Sequence, residues 1–427
     1  MNRFLNVNDL ISFIESQRRT SIRKDLSDMF SFCKILGNPE KDLKVVHVTG
    51  TNGKGSVVSY LKYLFIEHGL NIGTFTSPYI VKFNERICHN FDFISDEDLL
   101  KFGNIVIDHF EVFKEKVGIT PSFFELITLI AFLYFKSLNL DLVILEVGIG
   151  GLLDSTNVIT PIASAIVNIS YDHMNILGDT IEEILINKLG IVKENKPLIC
   201  GLKDESLINI AKDYCLKFNS KIYLPLLEEV EIKKCDLLSS QFILDGFGEI
   251  EIMMLGYHQI ENALVALKTF LVVSEFLQLK LDKDKILKAF KTTTWVGRLE
   301  KISNDPLIIV DGAHNVDGIK RIVDFLEDFD LKKRVIFACS NNKEKEKMVK
   351  LLEPVFNEVI ITEFSYKRHT DAKSLFDNIN HLNKLLITKP MDAIDYTLSD
   401  PFELNIFIGS LYFVSEIRPI LINKIKR

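Results

Sequence analysis

Apolar, β-branched runs of strand length recur along the chain at Val45–Val48, Ile72–Thr76, Leu142–Val147, Ala163–Ile169, Leu198–Cys200, Leu307–Val310, Val335–Ala338, Val359–Thr362 and Ile406–Ile408. Between most of them lie segments with apolar residues at helical spacing, such as Val57–His68, Phe123–Ser137 and Ile260–Phe276. Strands alternating with helices predict parallel sheets covered on both faces. The runs are apolar almost throughout, whereas a strand with one wet face would alternate. The runs fall into two sets with a changeover at TTTWVGRLE, Thr292–Glu300. The pattern therefore predicts an α/β protein with a large first domain over 1–296 and a smaller one over 297–427, the latter built on four strand-like runs. Open sheets of this class bind ligands at the carboxyl ends of their strands.

Composition narrows the class. The 427 residues suffice for two or three domains, and the net charge of −7 lacks the basic face that nucleic-acid phosphates require. Cys33, Cys88, Cys200, Cys215, Cys235 and Cys339 are scattered, with no C-x-x-C pair, which fits a reduced, cytoplasmic protein. The first residues carry Asp9 and Glu15 among apolar positions at helical intervals, unlike a signal peptide. The longest apolar stretch, around Leu126–Phe135, is too short to span a bilayer, so no membrane partner is expected. The run Lys343–Lys347 reads as a solvated helix face, and a monomer is the default assembly.

Chemistry concentrates at strand ends. In VVHVTGTNGKGSVVSY, Val45–Tyr60, a strand enters a glycine-rich turn and then a helix. Gly50, Gly53 and Gly55 let successive amide N–H groups point into one anion-sized hollow at a helix N-terminus. Lys54 supplies a mobile positive charge, and Ser56 a hydroxyl for Mg²⁺. The spacing differs from G-x-x-x-x-G-K-[ST], because Gly50 and Gly53 are too close and Gly55 separates Lys54 from Ser56. After the run Leu142–Leu145 comes EVGIGGLLDSTN, where Glu146 is the first choice as a Mg²⁺ ligand beside phosphate. Asp172 and His173 follow the next run and are expected at the same sheet edge. Lys188, in NKLGIVKE, reads from periodicity as an ordinary exposed lysine.

Weaker signals accompany these. FNERI, Phe83–Ile87, places Arg86 where it could pair with a substrate carboxylate, although Glu-Arg neighbours are common on surfaces. GYHQIENA, Gly256–Ala263, has amide and imidazole groups that either read a purine edge or cap a helix. LIIVDGAHN, Leu307–Asn315, repeats strand then polar glycine turn, with Asp311 suited to ribose hydroxyls and His314 to a base or phosphate.

Taken in order, HVTGTNGKGS, SPYIVKFNERI, EVGIGGLLDSTNVITP, DHMNILG, KLGI, YHQIENA, WVGRLEKI, DGAHNVDG and GSLYFVSEI resemble the folylpolyglutamate synthase and dihydrofolate synthase family of the Mur ligase superfamily over nearly the whole chain. The resemblance implies a P-loop-type ATPase domain followed by a Rossmann-like glutamate ligase domain. It implies ATP-dependent joining of L-glutamate to folate through an acyl phosphate, with dihydropteroate as a further acceptor or, alternatively, the sole one. By the same resemblance, Thr51, Asn52, Gly53, Lys54, Gly55, Ser56, Asn262, Arg298, Asp311 and His314 bind ATP. Ser56, Ser77, Glu146 and His173 serve Mg²⁺, with Lys54, Lys188, His173 and Glu146 as the catalytic set. Lys188 matches a lysine the family carries as a carbamate, and Phe83, Arg86, Lys343, Arg368 and His369 fall where folate or glutamate is bound. Leu152, Leu189, Asn342 and Lys367-Arg368-His369 depart from the family pattern. A cell-wall Mur ligase would be expected to carry a domain ahead of a glycine turn that here begins at Gly50. A non-catalytic ATP-binding relative is opposed by the intact Lys54, Glu146, His173 and Lys188.

Overall fold

Every one of the apolar runs becomes a strand in the structure, a computed structural model that describes residues 3–18, 25–225, 230–340, 344–365 and 371–426. The first compact unit comprises Met1–Val230 and Glu261–Thr292, the second Glu231–Ile260 and Thr293–Arg427.

The first unit is built on β1 (Val45–Thr49), β2 (Ile72–Phe75), β3 (Ile87–His89), β4 (Asp92–Phe93), β5 (Leu142–Glu146), β6 (Ala163–Ile166), β7 (Leu198–Cys200) and β8 (Ile222–Tyr223). Their order across the sheet is β4-β3-β2-β5-β1-β6-β7-β8. Neighbours from β2 to β8 run parallel, while β3 and β4 add an antiparallel edge. Val143 and Leu145 join a core with Phe75, Leu99, Phe132 and Phe135, and Leu142 and Ile144, on the opposite face by strand alternation, are equally buried. Both faces of the central strands are therefore covered, which explains their unbroken apolar sequence. The helix Lys54–Glu67 leaves the glycine turn and packs Tyr60 against Phe290 and Phe65 against Phe270, with ring centroids 5.6 and 5.0 Å apart.

The second unit carries a three-stranded antiparallel sheet of β9 (Val230–Cys235), β10 (Ser240–Leu244) and β11 (Gly248–Ile252) in the order β11-β10-β9. It also carries a six-stranded sheet of β12 (Glu300–Asn304), β13 (Leu307–Asp311), β14 (Lys333–Phe337), β15 (Glu358–Ile361), β16 (Lys384–Leu386) and β17 (Leu404–Ile408), ordered β12-β13-β17-β14-β15-β16. The four expected strands are β13, β14, β15 and β17, and the sheet gains an edge at each side. β12 pairs antiparallel with β13, and its residues are mostly half-buried, so it lacks the apolar run that marks the interior strands. β16 is only three residues long. Ile309, Val335, Val359 and Ile406 of the sheet bury against Ile322, Phe325 and Met348 of the helices.

The contact grouping differs from a single cut at 296/297. The changeover at Thr292/Thr293 lies within the expected stretch, but Glu231–Ile260 groups with the later residues.

Candidate active site

The glycine turn after β1 is held open by its neighbours. Gly53, at φ +78°, caps the helix Lys54–Glu67 in the left-handed region, and a methyl group there would collide with the Asn262 amide oxygen and approach Val167. Asn262 is thereby fixed beside the turn although it lies far along the chain. Thr51 and Asn52 are tied to the loop after β6: Thr51 N–H donates to the Asn168 carbonyl at 3.0 Å, and Asn52 N–H to Asn168 Oδ1 at 2.9 Å. The Thr51 hydroxyl donates to the Ser170 carbonyl at 3.1 Å and accepts from Ser170 N–H at 3.0 Å. Ser56 is fully buried in the first turn of the helix.

Lys54 Nζ donates to the Gly50 carbonyl at 3.0 Å and to that of Thr51 at 3.2 Å. Lys188 Nζ donates to the same Gly50 carbonyl at 2.9 Å. The exposed lysine read from periodicity is thus corrected, since Lys188 is 3% exposed. Burial, reinforced by Lys54, pushes the Lys188 ammonium down to about 7, against opposing attraction from Asp172 and Asp154. The residue reaches this position because Thr180 and Glu183 form a capping box that starts the helix Ile181–Leu189. Ile184, Leu185, Lys188 and Leu189 then share its buried face.

The turn after β5 rests on that helix. Gly150, at φ +71°, leaves room for the Asn187 amide oxygen, and a methyl group on Gly151 would come within 2.7 Å of the Lys188 carbonyl. Leu152 N–H donates to the Asn187 carbonyl at 2.8 Å, and the Thr49 hydroxyl to the Gly150 carbonyl at 2.5 Å. Leu152 itself is 45% exposed. At the strand end, Glu146 is buried and its Oε2 accepts from Ser77 N–H at 3.0 Å. This joins the carboxyl ends of the adjacent strands β2 and β5.

Asp172 accepts from the main-chain N–H of His173 at 2.8 Å, and the His173 ring lies 3.9 Å from the same carboxylate oxygen. His173 takes φ +51° at the head of the short helix Met174–Leu177. Among the described residues no three His, Cys, Asp or Glu side chains form a ready-made metal cage. Arg86 is buried, with its guanidinium 5.1, 5.7 and 5.2 Å from the ring centroids of Tyr79, Phe83 and Phe123. Glu85 accepts from Val81 N–H at 2.7 Å and braces the same loop.

In the second unit, buried Asp311 accepts from Leu299 N–H at 2.7 Å and from Ala313 N–H at 2.6 Å. Burial raises its pKa, and Arg298 pulls against that shift. Glu300 accepts from Gly297 N–H at 2.9 Å and pairs with Arg418 at 2.6 Å, which pins the turn that bears Arg298. A methyl group on Gly312 would come within 3.0 Å of Arg298, and His314 Nδ1 lies 2.9 Å from the Gly312 carbonyl. Lys343, Arg368 and His369 fall outside the described residues.

Sequence reading missed His47, Asp154, Thr156 and Asn187, which support the two turns. The signal for His47 was an imidazole inside the otherwise apolar run Val45–Val48.

Known proteins resemble the chain over nearly its whole length. The Mur ligase middle domain matches residues 48–270, and the Mur ligase glutamate ligase domain matches residues 297–403. The chain is 33% identical to the dihydrofolate synthase/folylpolyglutamate synthase of Bacillus subtilis, covering 97% of this chain and 99% of that protein. The folylpolyglutamate synthase of Thermotoga maritima superposes with a TM-score of 0.85 at 30% identity, over 97% of this chain and 96% of that one. A folylpolyglutamate synthase solved as a complex with AMPPCP and folate gives a TM-score of 0.85 at 28% identity, over 98% of this chain and all of that one. The chain belongs to the Mur ligase family, within its folylpolyglutamate synthase and dihydrofolate synthase branch, and is an ATP-dependent ligase.

Proposed function

We propose that this chain adds L-glutamate to folate at the expense of ATP, forming folylpoly-γ-glutamate through an acyl phosphate. A carboxylate is a poor electrophile at neutral pH. Transfer of the γ-phosphoryl group to the folate carboxylate supplies a leaving group, and the amine of glutamate then displaces phosphate. The observation that carries this reading is the convergence of Lys54 and Lys188 on one carbonyl at the head of the helix after β1. The Lys54 ammonium on a glycine turn that heads a helix suits a triphosphate and the charge that develops during transfer, and Lys188 stands beside it.

In this reading Thr51, Asn52, Gly53, Lys54, Gly55, Ser56 and Asn262 bind the triphosphate, and Arg298, Asp311 and His314 are assigned to ATP. Residues 1–296 then act as the ATP-binding domain and 297–427 as the glutamate ligase domain. Phe83, Arg86, Lys343, Arg368 and His369 are assigned to folate and glutamate. The relative solved with AMPPCP and folate supports these substrates.

The donor set fits Mg²⁺: a buried carboxylate at Glu146, the hydroxyls of Ser56 and Ser77, and the His173 imidazole leave other positions to phosphate and water. The cation would offset charge on the triphosphate oxygens. We assign Lys188 as a carbamate, formed when its neutral amine takes up CO₂ and releases a proton. The change replaces repulsion from Lys54 with attraction, and a pKa near 7 leaves roughly half the amines neutral at neutral pH. Among the described residues no helix is long and apolar enough to cross a membrane, and all six cysteines are free thiols. We propose that the chain acts in the cytoplasm as a monomer.

A paired assay tests the assignment. ADP release should require glutamate together with tetrahydrofolate, with dihydropteroate as the parallel acceptor, and Lys54→Ala should lose about a hundredfold or more in turnover. Release that ignores both acceptors would overturn it.

A further inference from the structure

Behind the glycine turn, a chain of hydrogen bonds ties β1 to the loop after β5. His47 is fully buried, and its Nε2 lies 2.8 Å from the hydroxyl of Thr156, 109 residues later in sequence. The Thr156 hydroxyl also lies 2.5 Å from Asp154 Oδ1, which accepts from Thr156 N–H at 3.0 Å. Asp154 Oδ2 accepts from Ile149 N–H at 3.0 Å. A hydroxyl has one proton to give, and Asp154, whose pKa burial raises while the Thr156 hydroxyl and the amide bonds to its oxygens pull it back, takes that proton's bond in its ionised form. The Thr156 oxygen must therefore accept from His47, which fixes the proton on Nε2. His47 Nδ1 is buried with no hydrogen-bond partner among the described residues. A second proton would have no acceptor there and would feel the Lys193 ammonium; burial first and that charge second push the imidazole down to about 3.

We propose that His47 is a positioning residue, a neutral donor of fixed tautomer that acts through Thr156 and Asp154 to hold the Gly148–Gly151 turn in its catalytic shape. The turn is the element through which this matters. Its Gly150 carbonyl is bonded by Thr49, two residues beyond His47, and Gly150 and Gly151 seat Asn187 and the Lys188 main chain. Glu146 lies at its entry. A turn that loses its brace shifts Glu146 and Lys188 together, and misplacement of that kind is costly to a transfer reaction. The inference rests on the ligase reading for its kinetic consequences, whereas the state of the imidazole is independent of it.

The test uses the full chain with His47→Leu, His47→Gln, Thr156→Val and the Leu/Val double variant. The glutamine amide restores a donor near the Nε2 position, so His47→Gln should retain turnover within about threefold of the parent. His47→Leu and Thr156→Val should each lose about thirtyfold or more in kcat with KM for ATP little changed, and the double variant should be no worse than either, because the groups act as a unit. In the parent protein, nitrogen NMR of the imidazole should show a proton on Nε2 alone, with no titration between pH 5 and 8, where an ordinary histidine changes charge. Leucine and parent rates that coincide, additive losses, or an imidazole that titrates normally would each overturn the proposal. If His47→Leu does not fold, Thr156→Val, the glutamine variant and the NMR of the parent still decide. A parent that releases no ADP while its imidazole stays neutral would refute the ligase reading and leave the hydrogen-bond chain standing.

Discussion

At the residue scale, the central fact is that Lys54 and Lys188 share one acceptor, the Gly50 carbonyl. Lys54 was legible from its glycine context, and Glu146 from its place at the end of an apolar strand. The burial of Lys188 was not read, although Ile184 and Leu185 precede it by four and three residues and place it on the apolar stripe of its helix. Periodicity does not distinguish a buried lysine from one that lifts its charge to water along an apolar surface. Its depressed pKa has a consequence for stability. Between about 7 and the ordinary value of 10.5, the unfolded chain binds a proton at Lys188 that the folded chain does not. The stability of the ligand-free protein in bicarbonate-free buffer therefore rises across that window as pH increases. Urea titrations should show the rise, and Lys188→Met should flatten its share of the slope; the same slope in parent and variant would remove Lys188 as its source.

Elements carry those residues to their positions. The helix Ile181–Leu189 begins at the Thr180–Glu183 capping box, which the S/T-x-x-E spacing announces, and the turn after β5 packs on its last residues. Thr180→Ala should cost about 1 kcal/mol in a denaturation experiment. It should also lower turnover by more than it raises KM for ATP, because the helix that carries Lys188 loses the anchor of its first turn. Unchanged turnover at the reduced stability would show that this helix does not set the lysine. The interior strands were legible because burial on both faces demands an unbroken apolar run. The hairpin sheet β9–β11 was not, because VEIKKC and GEIEI mix charged and apolar residues as edge and half-wet strands do. The edges β12 and β16 were missed for the same reason, one being polar and the other three residues long.

For the whole molecule, the α/β class was legible in the sequence, whereas the grouping of Glu231–Ile260 with the later residues was not, since a contact between distant segments leaves no local periodicity. The supports of the site were hidden for a related reason. His47 and Thr156 meet across 109 residues and Asn187 meets Gly150 from a later helix, and each looks alone like an ordinary core or cap residue. The family match spans both units and makes the chain an ATP-dependent ligase. The central claim is that the substrate carboxylate is phosphorylated before the amine attacks. Reaction with a folate whose glutamyl carboxylates carry heavy oxygen tests it most directly, read by mass spectrometry of the phosphate released. The account predicts one labelled oxygen in each phosphate formed per amide bond; phosphate carrying no label, formed alongside the glutamylated product, would contradict it.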